Sequence, residues 1–369
     1  MKFLVITSAP TFYKDSNYRA YAPYVKEMNM WFKSVEEVTI ISPIKYHRPL
    51  LKASFNAKHI NLVGVPNLAM NNFFDILSLV VCVPLVFFKL YKEMIRTDHI
   101  HLRCPGNIGL LGCIVQVFFP KKKKTAKYAG NWDPKAKQPW SYRLQKWILS
   151  NTFLTRNMKV LVYGEWPEQT KNIKPFFTAS YSEEKIAEIP TKNYNNILQF
   201  VFVGTLADGK RPLYALQLVE NLLKKGILCR LAIYGEGEQR EDIENYIEEA
   251  QLGSVVTLHG NQPTDVVEAA YKKSHFLILP SKSEGWPKVV AEAMFWGVVP
   301  LVTPVSCVPW MLDNGNRGII LTLKVADDTE TLLRLLKGKE ILKKMAVHGA
   351  QWSHQYTLEL FEAEIKKLI

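Results

Sequence analysis

From about residue 196 onward, short apolar runs alternate with longer amphipathic segments, and no other feature of this 369-residue chain restricts its fold as much. Strands are expected over 197–203, 229–234, 255–258, 276–279 and 298–302. Helices are expected over 212–223, 238–250 and 265–273, with another after Pro287. Continuously apolar strands that are each followed by a helix read as a doubly wound parallel sheet with both faces covered. Residues 1–180 repeat the alternation less cleanly, with strands near 3–7, 37–41, 99–102, 125–128 and 159–163. The length accommodates two such α/β domains, each with its own core, and the polar stretch with Pro190 over 180–196 marks the joint. The expected domains are therefore 1–185 and 190–350.

Composition narrows the class further. A hydrophobic content of 48% and a charged content of 22% describe a globular protein. The five cysteines are odd in number and form no Cys-x-x-Cys pair, so neither a disulfide framework nor a zinc site is suggested, and a reducing compartment is expected. The apolar stretch after Met1 is short for a signal peptide and reads as a first strand, so a cytoplasmic protein is expected. The uncharged run over 76–88 contains Pro84 and is short of the ~20 residues a spanning helix needs. A buried helix is expected there, with a membrane-facing one as the alternative. Charge is uneven: residues 1–190 hold 27 basic and 13 acidic residues, the remainder 20 and 21, so the first half carries all of the +13 excess. Such a half attracts anionic lipid headgroups or nucleic acid, unless it is simply a solvated basic surface. The four lysines 121–124, beside Phe118 and Phe119, are expected in a loop that suits a membrane interface.

The segment that speaks most directly of chemistry is Ser283-Glu284-Gly285-Trp286-Pro287-Lys288, continuing through an apolar run to Glu292. Glu284 is expected in the loop after a buried strand and Glu292 about one turn into the next helix. In a parallel sheet that edge is where ligands bind, and a helix starting there offers open N–H groups to an anion. Two carboxylates repel phosphate alone but suit a ligand that is both polyol and phosphate, such as a nucleotide-sugar. The N–H groups near Pro287, Lys288 and Val289 would face that ligand, and Pro287 fits because it has no N–H to orient.

This arrangement resembles the Glu-x7-Glu signature of the retaining glycosyltransferases of family 4, which have the GT-B fold. The resemblance runs through Phe202-Val-Gly204, Tyr234-Gly235-Glu-Gly237, Leu258-His-Gly260, Leu279-Pro280-Ser281, Gly297 and Val308-Pro309, and covers most of the second half. It implies two Rossmann-like domains facing a central cleft, with a final helix over 355–369 crossing back onto the first. It implies further that Glu284 and Lys210 act on the sugar and leaving phosphate, and that Glu292 holds the nucleotide ribose. Lys288, Pro287, Val289, Gly204, Thr205, Arg211, Gly235, Gly237 and Gly260 would complete the donor site. Thr205 stands where the family often has arginine, and Arg211 is a possible substitute. The Gly-Gly pair common in the family's first loop is replaced here by Tyr13-Lys14-Asp15-Ser16-Asn17. On the acceptor side, Arg103, Asn107, Trp132 and Asp133 follow expected strands, Asp133 as a candidate to orient a hydroxyl and Trp132 to stack on a sugar. For Trp132 ordinary packing is the alternative; for Glu292 it is a solvated pairing with Lys288 at i, i+4.

Rival chemistries find less support. There is no Gly-x-Gly-x-x-Gly after the first strand, no phosphate-binding Gly-x-x-x-x-Gly-Lys-Ser/Thr and no Gly-x-Ser-x-Gly elbow. The chain also lacks Asp-x-Asp, so a required metal or other cofactor is not implied. The expected donor is a UDP- or GDP-linked sugar, and the expected acceptor a hydroxyl on a glycan or lipid-linked intermediate at an anionic membrane surface, with no nucleic-acid partner. A nucleotide-sugar epimerase on the same fold and a catalytically inactive nucleotide-sugar-binding protein are the alternatives.

Overall fold

The structure is a computed structural model that describes residues 1–45, 51–68 and 73–369, the side chains of 73–79 excepted. It divides into two compact units, Met1–Phe177 with Phe361–Ile369, and Thr178–Leu360. The boundary falls just before the polar stretch, so residues 178–196 go with the second unit.

In chain order the first unit contains β1 (Lys2–Ile6), β2 (Phe12–Lys14), β3 (Asn17–Tyr21), α1 (Ala22–Phe32), β4 (Glu37–Ser42), β5 (Lys52–Ser54), β6 (His59–Gly64), α2 (Phe73–Arg96) and β7 (His99–Cys104). These are followed by α3 (Asn107–Val115), β8 (Lys123–Tyr128), α4 (Trp140–Ser150), β9 (Met158–Tyr163) and β10 (Ile173–Phe176). Seven strands pair in parallel in the order β10-β9-β8-β7-β1-β4-β6. The order reverses at β1, so the connections through α2, α3 and α4 run one way and the connection through α1 the other. Right-handed crossovers then place α2, α3 and α4 on one face of the sheet and α1 on the opposite face. Core residues under the three-helix layer include Leu4, Ile6, Ile100, Leu102, Val160 and Val162.

The first loop folds as a hairpin. Asp15 and Ser16 adopt positive φ (49° and 60°) between β2 and β3, and β5 joins them in a small antiparallel sheet. Asn17 Nδ2 donates to the Asp15 carbonyl (2.9 Å) and the Asp15 carboxylate pairs with Arg19 (3.3 Å), so this turn is not a glycine-lined anion cradle.

Two expectations are corrected here. Helix α2 is not buried all round: Val86, Leu90 and Met94 are fully buried, whereas Val80, Val81, Leu85 and Phe88 are exposed. The lysines 121–124 do not form a solvated loop, since Lys123 and Lys124 begin β8. Lys122 Nζ donates to the carbonyls of Ile95 (2.9 Å) and Thr97 at the end of α2, satisfying acceptors that a helix terminus leaves open. Lys123 Nζ donates to the Ile369 carbonyl, and Lys124, 1% exposed, places Nζ 2.8 Å from Gln116 Oε1. Burial lowers the Lys124 ammonium to about 8.

Two histidines lie beneath the same sheet. His99 Nε2 and His101 Nδ1 each lie 2.8 Å from the single hydroxyl of Thr125, and both rings are completely buried. Burial, aided by Lys123, lowers His99 from 6.5 to about 4; burial and then Arg103 hold His101 well below its ordinary value. The unfolded chain therefore takes up protons below pH 6.5 that the folded chain refuses, and stability falls as the pH drops from 6.5 toward 4. For His99 alone the loss is on the order of 3 kcal/mol by pH 4. Urea midpoints measured between pH 7.5 and 4 should decline over that window, and a flat profile would show that the rings are charged or solvated in the fold.

The second unit runs β11 (Leu198–Val203), α5 (Pro212–Lys224), β12 (Cys229–Tyr234), α6 (Arg240–Glu249), β13 (Val256–Gly260), α7 (Thr264–Lys273), β14 (Phe276–Leu279), α8 (Lys288–Phe295) and β15 (Val299–Val302). It continues with α9 (Val308–Met311), β16 (Ile319–Ile320), α10 (Val325–Lys337), α11 (Lys339–Ser353) and the start of α12 (Leu358–Leu368). Its six strands pair in parallel in the order β13-β12-β11-β14-β15-β16. Phe200, Phe202, Ile233 and Ile278 fill its core, and burying side chains of this size stabilises by about 2 kcal/mol each. From Phe361 onward α12 belongs to the first unit, where Phe361 meets Phe176 and Phe177 at ring-centroid distances of 5.5 and 5.6 Å.

Candidate active site

In the second sheet the chain leaves β11 toward β12 on one side, while β14 flanks β11 on the other. The C-terminal ends of β11 and β14 therefore form the switch point at which an open parallel sheet parts to admit a ligand. The loop after β11 carries Lys210 and the loop after β14 carries Glu284. Lys210 Nζ lies 2.5 Å from Glu284 Oε1, with side-chain exposures of 30% and 10%. Residues 74 positions apart in sequence thus form an ion pair at the position where the fold favours binding.

The two loops are tied to each other and to their neighbours. Lys282 N–H donates to the Gly209 carbonyl (2.9 Å), the Lys282 ammonium pairs with Asp208, and Arg211 Nη1 donates to the Pro280 carbonyl (3.0 Å). Arg211 therefore braces the β14 loop from a left-handed backbone position (φ 50°) just before α5. Thr205 itself is exposed. Ser306 Oγ (3.1 Å) and Cys307 Sγ (3.2 Å) both donate to the Gly285 carbonyl. Burial pushes the Cys307 thiol up to about 12, so it stays a protonated donor.

Glycines allow these strand ends to converge. A Cβ on Gly235 would lie 1.9 Å from the Gly204 carbonyl oxygen, and one on Gly237 would lie 2.3 Å from that of Leu206. Gly235 N–H donates to the Gly260 carbonyl and Leu206 N–H to that of Glu236. Backbone approach between neighbouring loops thus accounts for Gly235, which faces the Gly204 and Gly260 carbonyls, and for Gly237, which faces that of Leu206.

Helix α8 starts at Lys288, with Pro287 in the N-cap position and no side chain capping it. Val290 N–H returns to the Pro287 carbonyl. The Lys288 and Val289 amides remain directed out of the helix end beside Glu284, where the helix dipole favours an anion. Glu292, one turn in, does not pair with Lys288, which forms no ion pair among the described residues. Ser180 Oγ donates instead to Glu292 Oε1 (2.5 Å), and Tyr271 OH lies 3.3 Å from Oε2. Burial, and then the Glu292 charge, pushes the Tyr271 phenol well above its ordinary value, so it serves the carboxylate only as a donor. Ser180 and Tyr271 have no sequence signal: they stand 112 and 21 positions from Glu292 and belong to no motif.

In the first unit the acceptor-side candidates are not brought together in the way the sequence suggested. Trp132 is 4% exposed and packs edge-on against Tyr128 at 4.9 Å, with Lys146 Nζ 5.2 Å from its ring, so no face is open for a sugar. Asp133 accepts the Lys135 N–H on Oδ1 (2.8 Å) and shapes a local turn. Asn107 opens α3 and donates to the Leu68 carbonyl. Arg103 points inward to Glu27 and shares that carboxylate with Lys127 (3.1 Å).

Two parallel α/β units of these topologies define the GT-B fold of glycosyltransferases. HepE of Anabaena, in a crystal structure with UDP, superposes over 99% of this chain and 98% of its own with a TM-score of 0.70 at 11% identity. Sucrose-phosphate synthase of Thermosynechococcus elongatus superposes over 100% of this chain and 98% of its own with a TM-score of 0.65 at 14% identity. Residues 183–352, which carry Lys210, Glu284 and Glu292, match the family model of the glycosyl transferases group 1. Among curated proteins, an uncharacterized glycosyltransferase of Methanocaldococcus jannaschii is 26% identical over 145 residues, 39% of this chain and 41% of its own. The alpha-D-kanosaminyltransferase of Streptomyces kanamyceticus is 27% identical over 154 residues, 41% and 39% of the two chains. The chain thus spans about two fifths of the length of these curated relatives.

Proposed function

We propose that this protein is a retaining, family 4 type glycosyltransferase that moves a hexose or similar sugar from a nucleoside-diphosphate donor to a hydroxyl acceptor. The observation that carries the reading is the Lys210–Glu284 pair at the switch point beside the open end of α8. Lys210 and the α8 amides would take the diphosphate, and Glu284 would accept hydrogen bonds from donor-sugar hydroxyls. When a diphosphate draws Lys210 away, Glu284 is left facing the sugar. Positive potential then falls where charge develops on the leaving oxygen, the placement that lowers a barrier most. The UDP named in the HepE structure supports a UDP-linked donor, and a GDP-linked one is the alternative. No metal or other cofactor is needed in this scheme, so chelator is expected to leave the rate unaltered.

The acceptor in this reading is a glycan or lipid-linked intermediate of polysaccharide or glycolipid assembly, met by the protein at the inner face of the cytoplasmic membrane. The positive balance of residues 1–190 supports an anionic surface as partner. No helix among the described residues is long and apolar enough to cross a membrane.

A panel of UDP- and GDP-sugars tests the donor. The true donor should raise the melting temperature, since binding at 100 times Kd adds about 2.7 kcal/mol. Donor turnover with and without added acceptor then separates a transferase from an epimerase, which needs no acceptor, and from an inactive binding protein. Glu292, held by Ser180 and Tyr271, is assigned to the ribose hydroxyls. Glu292→Ala should therefore raise the donor KM and the inhibition constant of free UDP together by about tenfold, the value of one charged hydrogen bond, with a smaller change in kcat. An unchanged UDP affinity would reduce Glu292 to a structural partner of Ser180 and Tyr271.

A further inference from the structure

Helix α2, at 24 residues, is the longest among the described residues, and among its described side chains it is apolar on two opposite sides. One side, Val86, Leu90 and Met94, is sealed into the core of the first unit. The other presents Val80 (72% exposed), Val81 (74%), Leu85 (49%), Phe88 (70%) and Ile95 (53%). Phe118, 62% exposed, extends this surface by setting its ring edge-on to Phe87 and Tyr91, at 6.2 and 6.3 Å. Helix α4 lies in the same layer; it exposes Trp147, and after it comes Phe153, whose ring carries the Arg156 guanidinium at 4.5 Å. A monomeric soluble surface seldom leaves so many large apolar side chains in one layer without a use for them.

The charge beside these residues selects the occupant. Residues 73–156 contain 14 basic and four acidic residues; of the basic ones Lys124 and Lys127 are buried and Arg103 turns inward to Glu27. Lys92, Arg96, Lys121, Arg143 and Arg156 are exposed. Exposed valine, leucine and phenylalanine flanked by tryptophan and long cationic side chains match the boundary of an anionic bilayer. There apolar groups reach the acyl chains, Trp lies at headgroup level, and Lys and Arg extend to phosphate. A protein partner for such a face would need a comparably acidic, apolar surface.

We infer that the outer face of α2, with Phe118 and the exposed aromatics at and after α4, is a monotopic docking surface that lies in the headgroup region of an anionic membrane. This deepens the peripheral placement proposed above and rests on that reading only for its biological setting, because lipid binding can be measured with no sugar present. It moves the attachment away from the lysines 121–124, three of which are engaged within the fold, to an apolar face with cationic flanks.

The test is flotation of the full chain with phosphatidylcholine vesicles and with vesicles that also contain phosphatidylglycerol. Binding should require the anionic lipid, weaken as salt rises, and fall by about tenfold or more in Phe88→Asp/Phe118→Asp, which puts charge into the apolar contact. Both side chains are exposed, so the variant should keep the wild-type melting temperature and the wild-type affinity for UDP. Absence of binding to anionic vesicles, or undiminished binding by the variant, overturns the assignment. Sedimentation of the lipid-free protein distinguishes the other occupant: a dimer that dissociates in the variant would make this face a self-association surface. If UDP fails to bind either protein while flotation behaves as expected, the donor assignment fails and the docking surface stands.

Discussion

Replacing Glu284 with glutamine should lower the rate of sugar transfer by about 10²–10³-fold while leaving the melting temperature close to that of the wild type. The magnitude is that of removing one preorganised electrostatic group from a reaction centre. Glutamine keeps the size of the side chain and one acceptor oxygen, so the loop between Ser281 and Pro287 retains its anchors to Gly209, Ser306 and Cys307. What disappears is the charge that Lys210 faces at 2.5 Å. Lys210→Ala should cost a similar factor, about 3 kcal/mol of transition-state stabilisation, since Thr205 leaves no arginine at its own position to share the task. Because the two groups act on each other, the double variant should be little worse than the poorer single one, and that non-additivity marks a functional pair. The measurement is kcat with a verified donor, and turnover by Glu284→Gln within twofold of the wild type would remove Glu284 from the chemistry. Activity retained by Lys210→Ala but lost by Arg211→Ala would place the phosphate contact one residue further on, against the bracing role of Arg211.

How much of this was legible in advance follows from how each unit is built. In the second unit the strands are buried on both faces and appear as continuous apolar runs, so five of its six strands fall within a residue or two of their expected bounds; β16, two residues long, gives no run to read. The placement of Glu284 in a loop and of Glu292 in the following helix was readable too, because two carboxylates separated by a helix start keep a fixed relation whatever surrounds them. The first unit resisted for physical reasons. An uncharged stretch such as 76–88 states that a helix is apolar but not which side is covered, and α2 is apolar on both. A run of lysines reads as solvated, yet Lys122 closes a helix end and Lys124 lies in the sheet. The hairpin of β2 and β3 mixes aromatic residues with charged and polar ones and shows no apolar alternation, so no periodicity marks it as strand. Ser180 and Tyr271 reach Glu292 only through tertiary structure.

The largest effect on stability is expected at a charge cluster that no motif announces. Glu27 on α1 is 5% exposed at its side chain; it accepts from Arg103 at the end of β7 and lies 3.1 Å from Lys127 Nζ on β8, where the Lys127 side chain is 1% exposed. Lys127 also donates to the Phe177 carbonyl (3.2 Å) and sits about equally far from the rings of Tyr163, Phe176 and Phe361, at 5.2, 5.0 and 5.1 Å. Glu27 provides the carboxylate common to both cations, and Glu27→Ala would leave the two facing each other in a water-poor interior. Breaking a buried network from one side costs about 3–5 kcal/mol, because the stranded charge keeps its desolvation penalty and loses its partner. The exposed pair Lys282–Asp208, with side chains 44% and 69% exposed, provides the contrast: Asp208→Ala should cost less than about 1 kcal/mol, since water replaces the lost partner. Urea unfolding of the two variants measures both. The midpoint of Glu27→Ala should fall steeply with the loss confined to the first unit, and the Phe361 end of α12 should loosen as Lys127 is repelled from its place between the rings. Adding Lys127→Met should recover part of the loss, because removing the second cation relieves the repulsion while the methionine chain still fills the aromatic cage. A Glu27→Ala midpoint no lower than that of Asp208→Ala would mean that water already reaches the cluster, and that Arg103 is available at the surface after all.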